Sequence, residues 1–272
     1  MFQKLHRTLE RNLFGKDPYY HDPYDDPAEQ FYARIYLRYL FERIDAEFRH
    51  QQIKILDVGC NTGRLSSPLA RAGHHVTGID PSRFHLKRAE AHARSVGVRC
   101  RFLKGDGFRH VRHMPGESFD LALSTEVLYQ RPDFRDDLCE LLRIVRPGGL
   151  LATSHRTSFF YLARAIREKD FQAAEFILSH SEGALWGSYF NWQSPRELKA
   201  LYQELGADSL LMRPIGIFTG NGGDGMAALC DLGKLGDRDR EGIFEIEGYD
   251  SDEFAALGRY LLVIGRKREA PR

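Results

Sequence analysis

The chain has no G-x-G-x-x-G at the turn after its first apolar strand, no C-x-x-C pair, no long apolar run and almost no net charge. Each absence removes a class of function. Without the spaced glycines there is no fingerprint for the pyrophosphate of a nicotinamide dinucleotide. The four cysteines, Cys60, Cys100, Cys139 and Cys230, are too scattered for a disulfide framework or a zinc site. That usage suits a reducing cytoplasm, and no recognisable metal-ligand cluster is present, so no metal is expected. No apolar stretch approaches the roughly 18 residues of a membrane span. Met1 to Arg11 is polar and charged, unlike a signal peptide. A cytoplasmic protein without a membrane partner is therefore expected. With 39 Lys and Arg against 38 Asp and Glu, net +1, no global field recruits nucleic acid, and no binding module is appended.

What is present is one α/β core's worth of chain, 272 residues, punctuated by acids at strand ends. Ile53 to Val58 is a short apolar run that carries Asp57 near its end. It is followed by the turn Gly59-Cys60-Asn61-Thr62-Gly63 and a helix-compatible segment from Arg64 to Ala72. Glycines there let backbone approach a ligand closely. The acid would repel a pyrophosphate but attracts a cationic ligand. A second acid, Asp80, ends the strand His75 to Asp80, followed by Pro81 and a helix that stops at Gly97. An acid about 20 residues after a glycine turn is placed to accept from both hydroxyls of a ribose. A third unit runs Cys100 to Lys104 into Gly105-Asp106-Gly107. A fourth runs Phe119 to Ser124 into Thr125-Glu126, with a helix striped by Phe134, Leu138, Leu141, Leu142 and Val145. Arg146-Pro147-Gly148-Gly149 then ends that helix, and Leu150 to Thr153 starts a fifth strand.

From residue 50 to 155 this series resembles the core of the Rossmann-like S-adenosylmethionine-dependent methyltransferases. Its nearest flavour is that of the ubiquinone-biosynthesis-type small-molecule O-methyltransferases. Thr153-Ser154-His155-Arg156-Thr157 is similar to their T-x-N-R-T stretch, with His155 in place of the asparagine. The resemblance implies S-adenosylmethionine as cofactor, held by Asp57, Gly59, Cys60, Asn61, Gly63, Asp80, Pro81, Asp106, Gly107, Thr125 and Glu126. In that family the acid matched by Asp106 commonly meets the adenine amino group. The resemblance also implies methyl transfer to a small-molecule acceptor, with oxygen the expected target. The alternative is a cofactor-binding protein without methyltransferase activity, regulatory or structural. Asp17-Pro18-Tyr19-Tyr20 is similar to the D-P-P-Y motif of adenine-N6 methyltransferases, but it lacks the apolar strand that must precede that motif.

The expected fold is α/β: a seven-stranded, mostly parallel sheet with an N-terminal helix and a helical cap insertion. Residues 1–49 form an arm and a helix that begins at the cap Asp26-Pro27-Ala28-Glu29. Residues 50–155 form the cofactor-binding core. Residues 156–193 are longer than an ordinary connection and hold two apolar helical pieces, followed by Trp186, Tyr189, Phe190 and Trp192. They are read as a cap over the crevice. Residues 194–272 complete the core, with strands at Leu210 to Phe218 and Tyr260 to Ile264 and an insertion at 219–256. Aligning an acceptor with an activated methyl carbon is the main catalytic task, and a general base adds about 10²–10⁴ where a hydroxyl must lose its proton. His155, at the carboxyl edge of the fifth strand, is the expected base. Tyr129 and His180 are further candidates for ligand contact.

Overall fold

The computed structural model describes residues 26–220, 229–248 and 252–269. The arm before Asp26 and most of the glycine-rich turn after Thr219 lie outside them. Helix α1 (Pro27–Phe48) starts where Asp26 accepts hydrogen bonds from the amides of Ala28 and Glu29, with proline at its first position. Three strand–helix units follow: β1 (Lys54–Val58) with α2 (Ser66–Arg71), β2 (His75–Asp80) with α3 (Arg83–Ser95), and β3 (Arg101–Lys104) with α4 (Gly107–Arg112). Then come β4 (Phe119–Ser124), a 3₁₀ turn at Leu128–Gln130, α5 (Phe134–Ile144) and β5 (Val145–His155). The cap holds α6 (Ser158–Arg167), α7 (Phe171–Ser179), β6 (Glu182–Leu185) and β7 (Ser188–Asn191). The chain closes with α8 (Pro195–Glu204), β8 (Ala207–Ile215), α9 (Asp237–Glu247) and β9 (Tyr260–Lys267).

Seven strands form one sheet in the order β3-β2-β1-β4-β5-β9-β8. All but β9 run parallel, and β9 is antiparallel to both β5 and β8. The expected sheet is thus present. The order in which strands are added reverses between β1 and β4, the place where open α/β sheets leave a crevice at the carboxyl edge. Alternation along the strands sorts the core into two layers. Ile55, Leu121, Leu123, Leu150 and Ala152 pack towards α1 and α2. Leu56, Val58, Ala122 and Leu151 pack towards α4, α5 and α8.

Several boundaries differ from the sequence expectation. The Arg146 to Gly149 turn lies within β5, where the register against β4 shifts between Phe119 and Leu121. The strand expected at Leu210 to Phe218 is β8, three residues earlier, because pairing with β9 carries its ladder back to Ala207. The cap is not wholly helical: β6 and β7 form an antiparallel hairpin. Its two turn residues, Trp186 and Gly187, both have positive φ, 49° and 79°. Tryptophan at a position that favours Asn, Asp or Gly hides the turn from a sequence reading. The insertion after β8 packs α9 on α1, through Arg34 against Glu241 at 2.6 and 2.9 Å and Phe244 against Phe31. Glu247 of α9 is buried and accepts from the amides of Ile217, Phe218 and Thr219 and from the Thr219 hydroxyl. A carboxylate with four donors is well compensated for its burial. It fixes the path of the chain as it leaves the sheet.

Candidate functional site

A cleft of about 530 Å³ opens at the carboxyl edge of the sheet. The ends of β1 and β2, the turns after β4 and β5, the start of β9 and the first turn of α1 all contribute to its wall. β9 enters the sheet at this edge because it runs antiparallel, so Arg259 and Tyr260 reach the cleft from the far end of the sequence.

One end of the cleft is acidic. Asp57 is buried and accepts from the Ser66 hydroxyl at 2.6 Å. Burial raises its pKa to about 6, opposed by the Ser66 hydrogen bond and Arg64 and assisted by the Asp80 charge. Asp80 is held rigidly: Oδ2 accepts from the Asn61 amide at 3.0 Å and Oδ1 from the Ser82 amide at 2.8 Å. His85 Nδ1 lies 3.5 Å from the same carboxylate. Asn61 turns the chain with φ of 48°, a conformation asparagine tolerates. Gly59, at φ 81°, lies so close to Val127 that a Cβ would stand 2.4 Å from its Cγ2. Cys60 is buried in the wall, and burial pushes its thiol pKa up, so it fills space as a neutral group.

A chain of ions crosses the middle. Arg64 contacts Glu29 of α1 at 2.5 Å and Glu126 at 2.6 Å. Glu126 follows β4 in a left-handed conformation, and its amide donates to the Ser154 hydroxyl of β5. Burial and the neighbouring Glu126 charge raise the pKa of Glu29. For Glu126 the net shift is downward: burial alone would raise it, but Arg64, Arg259 and Arg156 together outweigh that. The far end of the cleft is basic and aromatic, lined by Arg156, Arg259, Tyr129 and Tyr260. Tyr129 stacks on Phe190 of the cap hairpin, with planes 8° apart.

Of the residues expected to hold the cofactor, Asp57, Gly59, Cys60, Asn61, Asp80, Pro81, Thr125 and Glu126 converge on this cleft. Gly63, Asp106 and Gly107 do not line it. Gly63 lets α2 approach Ala89 and Phe102, and a Cβ on Gly107 would strike Val58. Asp106 caps α4, accepting from the amides of Phe108 and Arg109. His155, the expected base, does not line the cleft either. It is wholly buried on the α5 and α8 face of β5, edge-on to Phe134, with Nε2 2.7 Å from the Thr153 hydroxyl. Burial lowers its pKa to about 3, although a hydrogen bond donated to the Gln193 side chain partly opposes this. The period of two along a strand sends its neighbour Arg156 into the cleft instead. His180 lies outside the cleft, stacked on Phe176 of α7. Glu29, Arg64, His85, Arg259 and Tyr260 are cleft residues without a local motif; only assembly of the sheet brings them together.

Residues 56–153 match the family described as a methyltransferase domain. A ubiquinone biosynthesis O-methyltransferase of Rhizobium johnstonii is 38% identical over 109 residues, covering 39% of this chain and 42% of that protein. One from Methylobacterium nodulans is 32% identical over 161 residues, 57% of this chain and 60% of that protein. The chain thus spans about half the length of the curated relatives it matches. Among solved structures, magnesium protoporphyrin IX methyltransferase from Synechocystis, with bound S-adenosylhomocysteine, superposes with a TM-score of 0.58 at 14% identity, covering 97% of this chain and 99% of that one. The 1,6-didemethyltoxoflavin-N1-methyltransferase of Burkholderia thailandensis gives 0.55 at 18% identity, covering 98% and 89%. At such identities the structural likeness speaks for the fold alone, a Rossmann-like sheet shared with these methyltransferases, and residues 56–153 within it match the methyltransferase domain.

Proposed function

We propose that this protein transfers the methyl group of S-adenosylmethionine to an oxygen of a small molecule. The observation that carries the reading is the pair of buried acids at adjacent strand tips, Asp57 and Asp80, beside a turn without phosphate-binding character. Asp80 is locked by two backbone amides. Its remaining lone pairs are free to accept from a ribose diol. Asp57 and the buried Asn61 Oδ1, which has no hydrogen-bond partner among the described residues, suit the ammonium and amino donors of the same molecule. When bound, the cofactor supplies a methyl carbon already activated by its sulfonium. The chain's own residues bind, orient and exclude water. Thr125, Glu126 and Val127 form the wall between the acidic end and the aromatic end. Tyr129, stacked under the cap hairpin, offers a planar surface to an acceptor.

Glu29 replaces His155 as the group suited to take a proton from an acceptor hydroxyl. It lines the cleft, and its proton affinity is raised by burial and by Glu126. Oxygen as the target is supported by the ubiquinone biosynthesis O-methyltransferases among the relatives. The test is calorimetric binding of S-adenosylhomocysteine, followed by its production from S-adenosylmethionine with a panel of phenols and catechols. Binding and turnover are expected. Binding without turnover on any acceptor, in a metabolite extract as well as the panel, points to the non-enzymatic alternative. No binding removes the reading altogether.

A further inference from the structure

The chain as a whole is close to neutral, but its charge is unevenly spread. Of its 39 Lys and Arg, nine lie from Arg83 to His113, and of its 38 Asp and Glu only Glu90 and Asp106 do, so that segment carries +7 and the remainder −6. In the fold the segment is one end of the molecule: α3, the loop after it, the edge strand β3 and α4. Ion pairs engage Arg94 with Glu90, Arg112 with Asp137, and Asp106 with Arg131. Arg83, Lys87, Arg99, Arg101, Lys104 and Arg109 form none among the described residues, and all six are exposed. Guarding a free strand edge against another chain needs a cation or two on the strand itself. Arg101 and Lys104 do that, but the other four stand on the helices and the loop beside it. Amid them Phe84, in the first turn of α3, is 50% exposed, with the Arg88 guanidinium 5.6 Å from its ring centre.

We infer that this edge docks single-stranded nucleic acid, with phosphates on the six cations and a base stacked on Phe84. Four of the six are arginines, whose forked donors match phosphate oxygens. A ring exposed among cations holds a single strand without reading its sequence: charge follows the backbone and the aromatic takes a base. A lipid surface needs apolar side chains to enter it, and in this segment only Phe84 and Val96 are large, apolar and exposed. An acidic polypeptide satisfies the cations but gives Phe84 no regular partner. None of these side chains lines the cleft, and the inference does not depend on methyl transfer.

The test is fluorescence anisotropy of the full chain with labelled single strands of about 12 nucleotides, one of RNA and one of DNA. Micromolar binding is expected at low salt. Log K should fall against log salt by about 0.7 per neutralised phosphate, a slope of about −4 if each of the six cations meets one. Replacing Arg99, Arg101 and Lys104 together by glutamine should bring the slope to about −2. Phe84→Ala should weaken binding about 10-fold and leave the slope unchanged. Arg238→Gln, at an exposed arginine of α9, should change neither. Tighter binding of one strand than the other supports the inference and names the sugar. No binding at about 30 mM salt, a slope that the triple variant leaves unchanged, or an unchanged affinity in Phe84→Ala overturns it. So does preference for vesicles of phosphatidylcholine and phosphatidylglycerol in equal parts, which makes the partner a lipid surface. Competition by polyglutamate as effective as that by unlabelled strand overturns it as well, in favour of an acidic protein.

Discussion

His155 and Arg156 are adjacent in the chain and lie on opposite sides of the sheet edge. The imidazole sits in the core within 2.7 Å of the Thr153 hydroxyl, and the guanidinium lines the cleft. One step along a strand thus separates a packing residue from a ligand-facing one.

A structural His155 has a pH signature. Its pKa is lowered to about 3 in the fold, chiefly by burial, against about 6.5 in the unfolded chain. Between those values the unfolded state binds more protons, so stability is full above pH 6.5 and is lost as pH falls towards 3. The slope contributed by this one group approaches about 1.4 kcal/mol per pH unit. Urea denaturation of the native protein and His155→Asn at pH 7.5 and 5.5 should show a smaller acid loss in the variant. Turnover of the folded variant should change little. A drop of about 10²-fold or more at pH 7.5 would restore the histidine to the reaction.

The acids at the strand tips were legible from spacing alone, because each closes a short apolar run at the carboxyl edge of a parallel sheet. Asp57 and Asp80 stand where that logic puts them. Asp106, expected by the same logic, does not line the cleft; an acid one residue before a helix also satisfies its first amides, and here it does. Arg259 and Glu29 were not legible. They come from the residue just before β9 and from α1, far apart in sequence, and their meeting depends on one antiparallel strand entering a parallel sheet. The cap hairpin was hidden by its Trp186-Gly187 turn.

Arg64 should be a stability residue as much as a binding one. It holds Glu29 and Glu126, both largely buried. Arg64→Met leaves two carboxylates facing each other without their contact cation, a loss of about 3–5 kcal/mol by analogy with broken buried pairs. Chemical denaturation measures it. Adding Glu29→Gln to the variant should recover part of the loss, since it removes one uncompensated charge. If the double variant is no more stable than the single one, coupling through Arg64 is refuted.

Asp57 makes cofactor affinity depend on pH. Its pKa of about 6 lies above the ordinary carboxylate value because the group is buried. The native state therefore holds a proton that the unfolded state has lost, and this group's contribution to stability declines as pH rises from about 4 to 6. Binding of a cation-bearing ligand runs the other way, because it favours the ionised form. S-adenosylhomocysteine affinity should weaken as pH falls from 7 to 5 in the native protein. In Asp57→Asn it should stay flat over that range, as measured by calorimetry. A parallel decline in both would assign the titration to another group.

Asp80 is the most constrained of the cleft acids, with one oxygen on the Asn61 amide and the other on the Ser82 amide. That arrangement fixes the direction of its remaining lone pairs and costs no reorganisation on binding. Asp80→Ala should weaken S-adenosylhomocysteine binding by about 1–3 kcal/mol, the range for losing hydrogen bonds to a charged group. The two amides it serves also lose their partner, so part of the effect could come from a loosened turn. Adenosine and 2′,3′-dideoxyadenosine separate the contributions. The native protein should prefer adenosine, and Asp80→Ala should bind the two nearly alike. If the variant still discriminates between them as the native protein does, the diol is recognised elsewhere and Asp80 is a turn residue only.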